Sequence, residues 1–342
     1  MIKKVKFEQF TAFENLEVNC SSGINIIVGA NGTGKTHILK TIYAACDVSK
    51  TKRNFAEKIT KVFLPSGDQI GRLIKRGKKS VAGSAEVTRV GKDSKEIKLK
   101  LSFSNHTTRF DKAKITGTTK WIEHDVESVY IPVKEMLSNA PGFRSLYTGR
   151  QVAFEEVYAD IVDRALLPLL KGPPDVQRKK ILEILKKEMD GNVSVQKEEF
   201  FLHNRQGMLE FTLLAEGLRK LALIWILIQN GTLLKGSVLC WDEPEANLNP
   251  RLMKTVVGIL LELQRMGVQV FISTHDYVLL KEFDLQTTKT DHVIFHSLYR
   301  DGEIFIKTSA HYFDLHPNAI ADTFTNLYDR DIERALGGKN DV

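Results

Sequence analysis

Ile24-Asn-Ile-Ile-Val28-Gly29-Ala30-Asn31-Gly32-Thr33-Gly34-Lys35-Thr36-His37 is the stretch on which the reading of the whole chain turns. Ile24 to Val28 is a short apolar, β-branched run, the composition of a strand buried on both faces. It passes directly into glycines at 29, 32 and 34 and then Lys35-Thr36, which matches G-x-x-x-x-G-K-[ST]. Glycines let backbone N–H groups turn inward around phosphate oxygens, and the N-terminus of a following helix adds its positive dipole. In that arrangement Gly29, Ala30, Asn31, Gly32, Thr33, Gly34, Lys35, Thr36 and His37 border the phosphates of a nucleotide. Lys35 reaches the outer two phosphates and Thr36 offers its hydroxyl to Mg²⁺. A ligand-free glycine turn would leave the Lys-Thr pair without a reason. The required context is present, since a helix is expected from Lys35 to about Cys46.

Two further strand ends carry chemistry. Ser237-Val-Leu-Cys-Trp-Asp242-Glu243-Pro244 is an apolar strand ending in adjacent carboxylates. Beside a phosphate loop, Asp242 can hold Mg²⁺ and Glu243 can polarise an attacking water, a general-base role that needs a carboxylate within hydrogen-bond reach. Phe271-Ile-Ser-Thr274-His275-Asp276 is another buried strand, ending in a histidine about thirty residues beyond the acids. A lone histidine is usually structural, but at a strand tip His275 can contact a terminal phosphate through one ring nitrogen while protein orients the other.

Phosphate loop, Asp-Glu strand and strand-tip histidine, in this order, resemble the ABC ATPases. Asn247-Leu248-Asn249-Pro250 looks like that family's D-loop. Phe10-Thr-Ala-Phe13-Glu-Asn-Leu16 and Tyr130-Ile-Pro132 are similar to its SMC, RecF and OLD-like branch, with its many small AAA-family ATPases. The resemblance implies an α/β fold, a P-loop NTPase of ABC-ATPase type with a β-meander in lobe I and an inserted helical lobe II. Residues 1–135 and 236–342 are then the two parts of lobe I, and 136–235 are lobe II. It also implies ATP and Mg²⁺ as ligands, and a homodimer (or higher oligomer) that closes around ATP. The family's signature helix, which meets the phosphate held by the opposite subunit, matches Leu214-Ala215-Glu216-Gly217 only in part. Ala215 stands where a serine hydroxyl is usual, worth roughly 1.5–3 kcal/mol as a hydrogen bond to a charged group. Val133-Lys134-Glu135 stands where the family carries a glutamine.

The target is less legible. Net charge is +7, yet residues 72 to 120 hold fourteen Lys/Arg against four Asp/Glu. Such an excess suits a surface for duplex DNA, or the solvated face of a β-meander. Three functions are carried forward. One is an ATPase whose closed/open cycle senses DNA or controls a separate effector, such as a nuclease, in bacterial phage defence. The second is a DNA-repair or DNA-clamp ATPase acting on the duplex directly. The third, a transporter ATPase subunit, is disfavoured by about 180 residues between Lys35 and Ala215.

Elsewhere the chain offers no second site. No apolar run approaches the ~18 residues that span a bilayer, and Leu218 to Ile228 is broken by Arg219 and Lys220. Cys20, Cys46 and Cys240 form no Cys-x-x-Cys pair, which with the absence of an apolar leader points to the cytoplasm and away from membranes. His106, His124, His203, His292, His296, His311 and His316 show no metal-ligand spacing. The remaining pattern predicts a β-meander over 81–131 with a turn at Gly91-Lys92-Asp93, helices from Phe143 to Met189, and a β pair at Val193–His203 and Met208–Leu213. A helix over Leu218–Gln229, a helix over Leu252–Met266 and a hairpin around Arg300-Asp301-Gly302 complete it.

Overall fold

Strands that are apolar on both faces form the middle of the molecule, and everything else is layered on them. The computed structural model describes residues 1–336 apart from 78, 79, 92, 93 and 151, with the side chain of Arg150 also outside the description. The elements in the first half are β1 (Ile2–Phe10), β2 (Phe13–Asn19), β3 (Ile24–Gly29), α1 (Lys35–Thr51), α2 (Phe55–Phe63), β4 (Ala82–Val90), β5 (Glu96–Ser104), β6 (Lys114–Thr116), α3 (Thr118–Trp121) and β7 (Ser128–Ile131). Next come α4 (Ala140–Arg150), α5 (Glu156–Ala165), α6 (Val176–Met189), β8 (Gly191–Gln196), β9 (Glu199–Asn204), β10 (Gly207–Glu210) and α7 (Glu216–Gln229). The chain continues through β11 (Val238–Asp242), α8 (Met253–Arg265), β12 (Gln269–Thr274), α9 (Tyr277–Gln286), β13 (Val293–Asp301), β14 (Glu303–Ser309) and α10 (Ala319–Ala335).

The central sheet runs β14-β13-β3-β12-β11-β7, parallel except at its β14 edge. Alternate side chains leave it in opposite directions, as the strand period requires. Ile24, Ile26, Leu239, Trp241, Val270 and Ile272 enter the cluster shared with α6, α7, α8 and α9. Ile27, Tyr130, Val238, Cys240 and Phe271 enter the other, shared with α1, α2 and a second sheet. That double burial is why these strands are predominantly apolar along their length. The second sheet, β2-β1-β4-β5-β6, is antiparallel, with Val5, Phe7, Val87 and Leu99 inward and with β4 buried along most of its length.

Register does the positioning. Asp242 pairs with Ser273, and Val28 with Thr274. The carboxyl ends of β3, β12 and β11 therefore finish level, where parallel α/β sheets bind ligands.

Several sequence expectations need correction. The helix after the phosphate loop runs on to Thr51, with Lys52 closing it in a left-handed conformation at φ 59°. The β pair expected over 193–213 is a three-stranded sheet, β10-β9-β8. Lys197 and Glu198, at φ 50° and 66°, make a two-residue turn inside the stretch assigned to one strand. Such turns usually announce themselves with Asn-Gly or Asp-Gly, and this one does not. Part of the Gly91-Lys92-Asp93 turn, and Lys78 and Lys79 of the basic segment, lie outside the described residues. Among the described residues, no helix is long and apolar enough to cross a membrane, and no cluster of three His, Cys, Asp or Glu could hold a metal. The cysteines are all free.

Candidate nucleotide site

The phosphate loop is shaped by what its glycines permit. Gly32 and Gly34 have φ of 77° and 89°, the region that side chains with a Cβ avoid. A Cβ at Gly34 would also lie 2.5 Å from Phe13 Cζ, whereas one at Gly32 would meet nothing within 4 Å, so the loop is open there. Gly34 caps α1 without a side chain, and its carbonyl takes the His37 N–H at 3.0 Å, so the helix end is open to an anion at Lys35 and Thr36. Lys35 Nζ lies within the loop, donating to the Gly29 carbonyl at 2.7 Å and the Ala30 carbonyl at 3.2 Å. Burial lowers its pKa against the pull of Glu243, Asp242 and Glu245. His37 turns its ring to Phe63 and Phe13, at 5.5 and 6.5 Å between centroids. Burial holds its imidazole down to about 4, so the ring is neutral at pH 7.

Asp242 is buried among three hydroxyls. Thr36 Oγ1 donates to its Oδ1 at 3.2 Å, Ser273 Oγ donates to the same oxygen, and Tyr130 OH donates to Oδ2 at 2.9 Å. Burial, and then Asp242 itself, push the Tyr130 phenol well above its ordinary value, which keeps it a donor. Glu243 follows at φ 47°, a left-handed conformation that costs a non-glycine residue roughly 1–3 kcal/mol and tends to occur at functional sites. Its N–H donates to the Ser273 carbonyl at 3.0 Å. Its carboxylate lies 3.4 Å from His275 Nδ1, so the acid and the strand-tip histidine meet.

The helix end at Ala215, Glu216 and Gly217 is joined to the Asn247 turn. Asn247 Nδ2 donates to Glu216 Oε2 at 3.0 Å, and Lys220 Nζ donates to the Ala246 carbonyl. A Cβ on Gly217 would come within 2.9 Å of Leu248 Cδ2, the end of a side chain that would have to shift. Ala215 caps α7 in an extended conformation with no side-chain bond. Glu135 is buried and paired with Arg219 on α7 at 3.2 Å, which leaves it serving the junction between elements. Sequence reasoning gave no role to Tyr130 in binding Asp242, nor to Ser273, Lys220 or Glu245. Glu245 alone carried a signal, as a third acid in the same short run.

The basic segment is less positive in space than in sequence. On the outer face of the β1 sheet, Lys100 and Lys98 approach Glu8 and Glu86 at 3.8 and 3.9 Å. Lys75 is held by Glu14 and Glu303, and Arg89 is buried over Trp121. Arg72 and Arg76 remain exposed and, among the described residues, without an ion pair. With Arg300 they line a hollow of about 480 Å³ that His37 and Phe63 also border.

Known proteins share this fold. An SMC head bound to the C-winged helix domain of ScpA matches with a TM-score of 0.60 at 15% identity, covering 92% of this chain and 98% of that one. The SMC head domain of Thermotoga maritima matches at 0.52 and 13% identity, over 90% and 98%. At such identities the likeness is one of fold. The DNA replication and repair protein RecF of Cytophaga hutchinsonii is 30% identical over 109 residues, 32% of this chain and 24% of that protein. The chain thus spans about a quarter of the length of that curated relative. A family model described as "AAA domain, putative AbiEii toxin, Type IV TA system" matches residues 24–281, from the first residue of β3 to beyond His275. The chain belongs to that family, and its fold is that of the ABC-type ATPase heads of SMC proteins.

Proposed function

We propose that this chain binds ATP with Mg²⁺ and hydrolyses it as a head-to-tail homodimer, closing with ATP and opening after hydrolysis. The reading is carried by the convergence of Thr36, Asp242, Glu243 and His275 at the level ends of β3, β11 and β12. Lys35 exchanges its two loop carbonyls for phosphate oxygens. Thr36 and Asp242 form an all-oxygen pair 3.2 Å apart, a hard donor set that suits Mg²⁺. When bound, the ion neutralises phosphate charge. Glu243 takes a proton from the attacking water. His275 points Nδ1 at the carboxylates, which leaves Nε2 for the γ-phosphate. Ala215 to Gly217 of α7 meet the phosphate held by the other copy. In this reading 1–135 and 236–342 form the nucleotide lobe and 136–235 the helical lobe.

The closed/open cycle then controls a separate effector protein, such as a nuclease, in phage defence. The toxin and toxin–antitoxin wording of the family description supports a chain that works with a partner. A second reading, direct action on duplex DNA, is favoured by Arg72, Arg76 and Arg300 around one hollow and by the RecF and SMC likenesses.

Light scattering tests the core of the reading. ATP should double the mass of the 38.7 kDa chain, and Lys35→Ala should weaken ATP binding roughly 10- to 100-fold, the loss of a charged hydrogen bond. A mass that ATP leaves unchanged would remove the dimer. Adding duplex DNA separates the two targets, since direct binding must weaken steeply with salt.

Ala215 supplies an independent check. Ala215→Ser should raise turnover several-fold and add about 1 kcal/mol of stability as a helix cap. A gain in stability without a gain in turnover would mean that this helix end does not meet phosphate.

A further inference from the structure

Glu245 has no role in the chemistry above, yet it is buried and bound to the tip of β12. Its side chain is 6% exposed, against 26% for Glu243. Its Oε1 accepts from Thr274 Oγ1 at 2.8 Å and from the His275 N–H at 3.1 Å. The same oxygen lies 3.7 Å from His275 Nδ1. Its Oε2 is buried with no hydrogen-bond partner among the described residues. Burial pushes the Glu245 carboxyl above its ordinary value. A buried acid with one idle oxygen is costly to keep, and everything it holds belongs to the tip of β12.

That tip is otherwise stitched down on its far side. Thr274 Oγ1 accepts from the Asp276 N–H at 3.0 Å, and Asp276 caps α9 by accepting from Leu279 N–H at 2.7 Å. Glu245 supplies the near side, so the backbone on both sides of His275 is fixed while its ring stays 45% exposed. The ring is bracketed by Glu243 and Glu245, with Nδ1 toward both acids. We infer that Glu245 is the positioning residue for His275, holding the β12 tip so that Nε2 faces the γ-phosphate. This rests on the reading of His275 as a γ-phosphate contact.

Oε1 makes every one of these contacts as an acceptor, and a glutamine amide oxygen can do the same. Glutamine should therefore rescue what alanine loses, which a charge or proton-transfer role would not allow. The test compares the affinities of fluorescent ATP and ADP analogues, a ratio that hydrolysis does not enter. His275→Ala should lower the preference for ATP over ADP roughly tenfold or more. Glu245→Ala should match it, Glu245→Gln should resemble the natural chain, and the double alanine variant should be no worse than either single one. Thr274→Val removes one of the two bonds and serves if Glu245→Ala fails to fold. If His275→Ala lowers the ratio and Glu245→Ala does not, or if Glu245→Gln is as impaired as alanine, the positioning role is wrong. An unchanged ratio in His275→Ala would overturn the γ-phosphate contact itself, and this inference with it.

Discussion

Glu243→Gln is expected to cut ATP turnover roughly 10²- to 10⁴-fold, the range that a positioned general base contributes, while ATP binding survives. The substitution keeps the shape of the side chain and removes only its ability to take a proton. Asp242 keeps its three hydroxyl partners, and Lys35 keeps its place in the loop. Glu243 also holds its left-handed backbone through the N–H bond to the Ser273 carbonyl, which no side-chain change removes. The variant should therefore accumulate as an ATP-bound dimer, visible as doubled mass that persists long after the natural chain has returned to monomer. Phosphate release within threefold of the natural rate would mean that another group activates the water.

Lys58→Met is expected to be the most damaging substitution away from the site. Lys58 Nζ lies 3.0 Å from Asp47, 2.9 Å from Glu156 and 2.7 Å from Asp160, with only 1% of its side chain exposed. Arg164 reaches Asp47 at 2.7 Å, and Tyr43 OH donates to Asp160 at 2.6 Å. Burial opposes charge on the Lys58 ammonium, yet the three carboxylates hold its pKa above the ordinary value. Burial likewise opposes charge on Asp47, but Lys58 and Arg164 keep that carboxyl low. At Asp160 burial prevails and the carboxyl is raised. Methionine fills the space but leaves carboxylates buried around a missing cation, which costs roughly 3–5 kcal/mol. Thermal unfolding should fall by on the order of 10 °C. Lys61→Met, which breaks an exposed pair with Asp68 at 2.8 Å, should change stability by less than about 1 kcal/mol. Equal shifts in the two variants would show that the buried cluster contributes nothing special. The cluster also joins α1, which carries the phosphate loop, to α2 and α5, so its loss should loosen the loop's support.

Taken residue by residue, the loop and the strands were legible because their causes are local. Glycines at 29, 32 and 34 state where the backbone must turn, and Lys35-Thr36 states what it turns around. β3, β11 and β12 are buried on both faces, so they are mostly apolar up to their carboxyl ends, with Asn25 and Gln269 as buried polar exceptions near their starts. Other local features stayed silent. The turn at Lys197-Glu198 takes left-handed backbone from residues that do not advertise it, and α2 carries polar residues because Lys58 is buried with partners.

The sequence by itself thus determined the phosphate loop, the identity of the acid pair and the strand-tip histidine, and the ABC-type class, since each is written in contiguous residues. Only the tertiary structure decided that β12 lies between β3 and β11, so that the loop and Asp242 face each other across a strand. It also gathered Thr36, Tyr130 and Ser273 onto one carboxylate, and brought Glu8, Glu14 and Glu303 to the lysines of the basic segment. Those partners are distant in the chain. Charge and hydrogen bonding act through space, and a count along the sequence registers only neighbours.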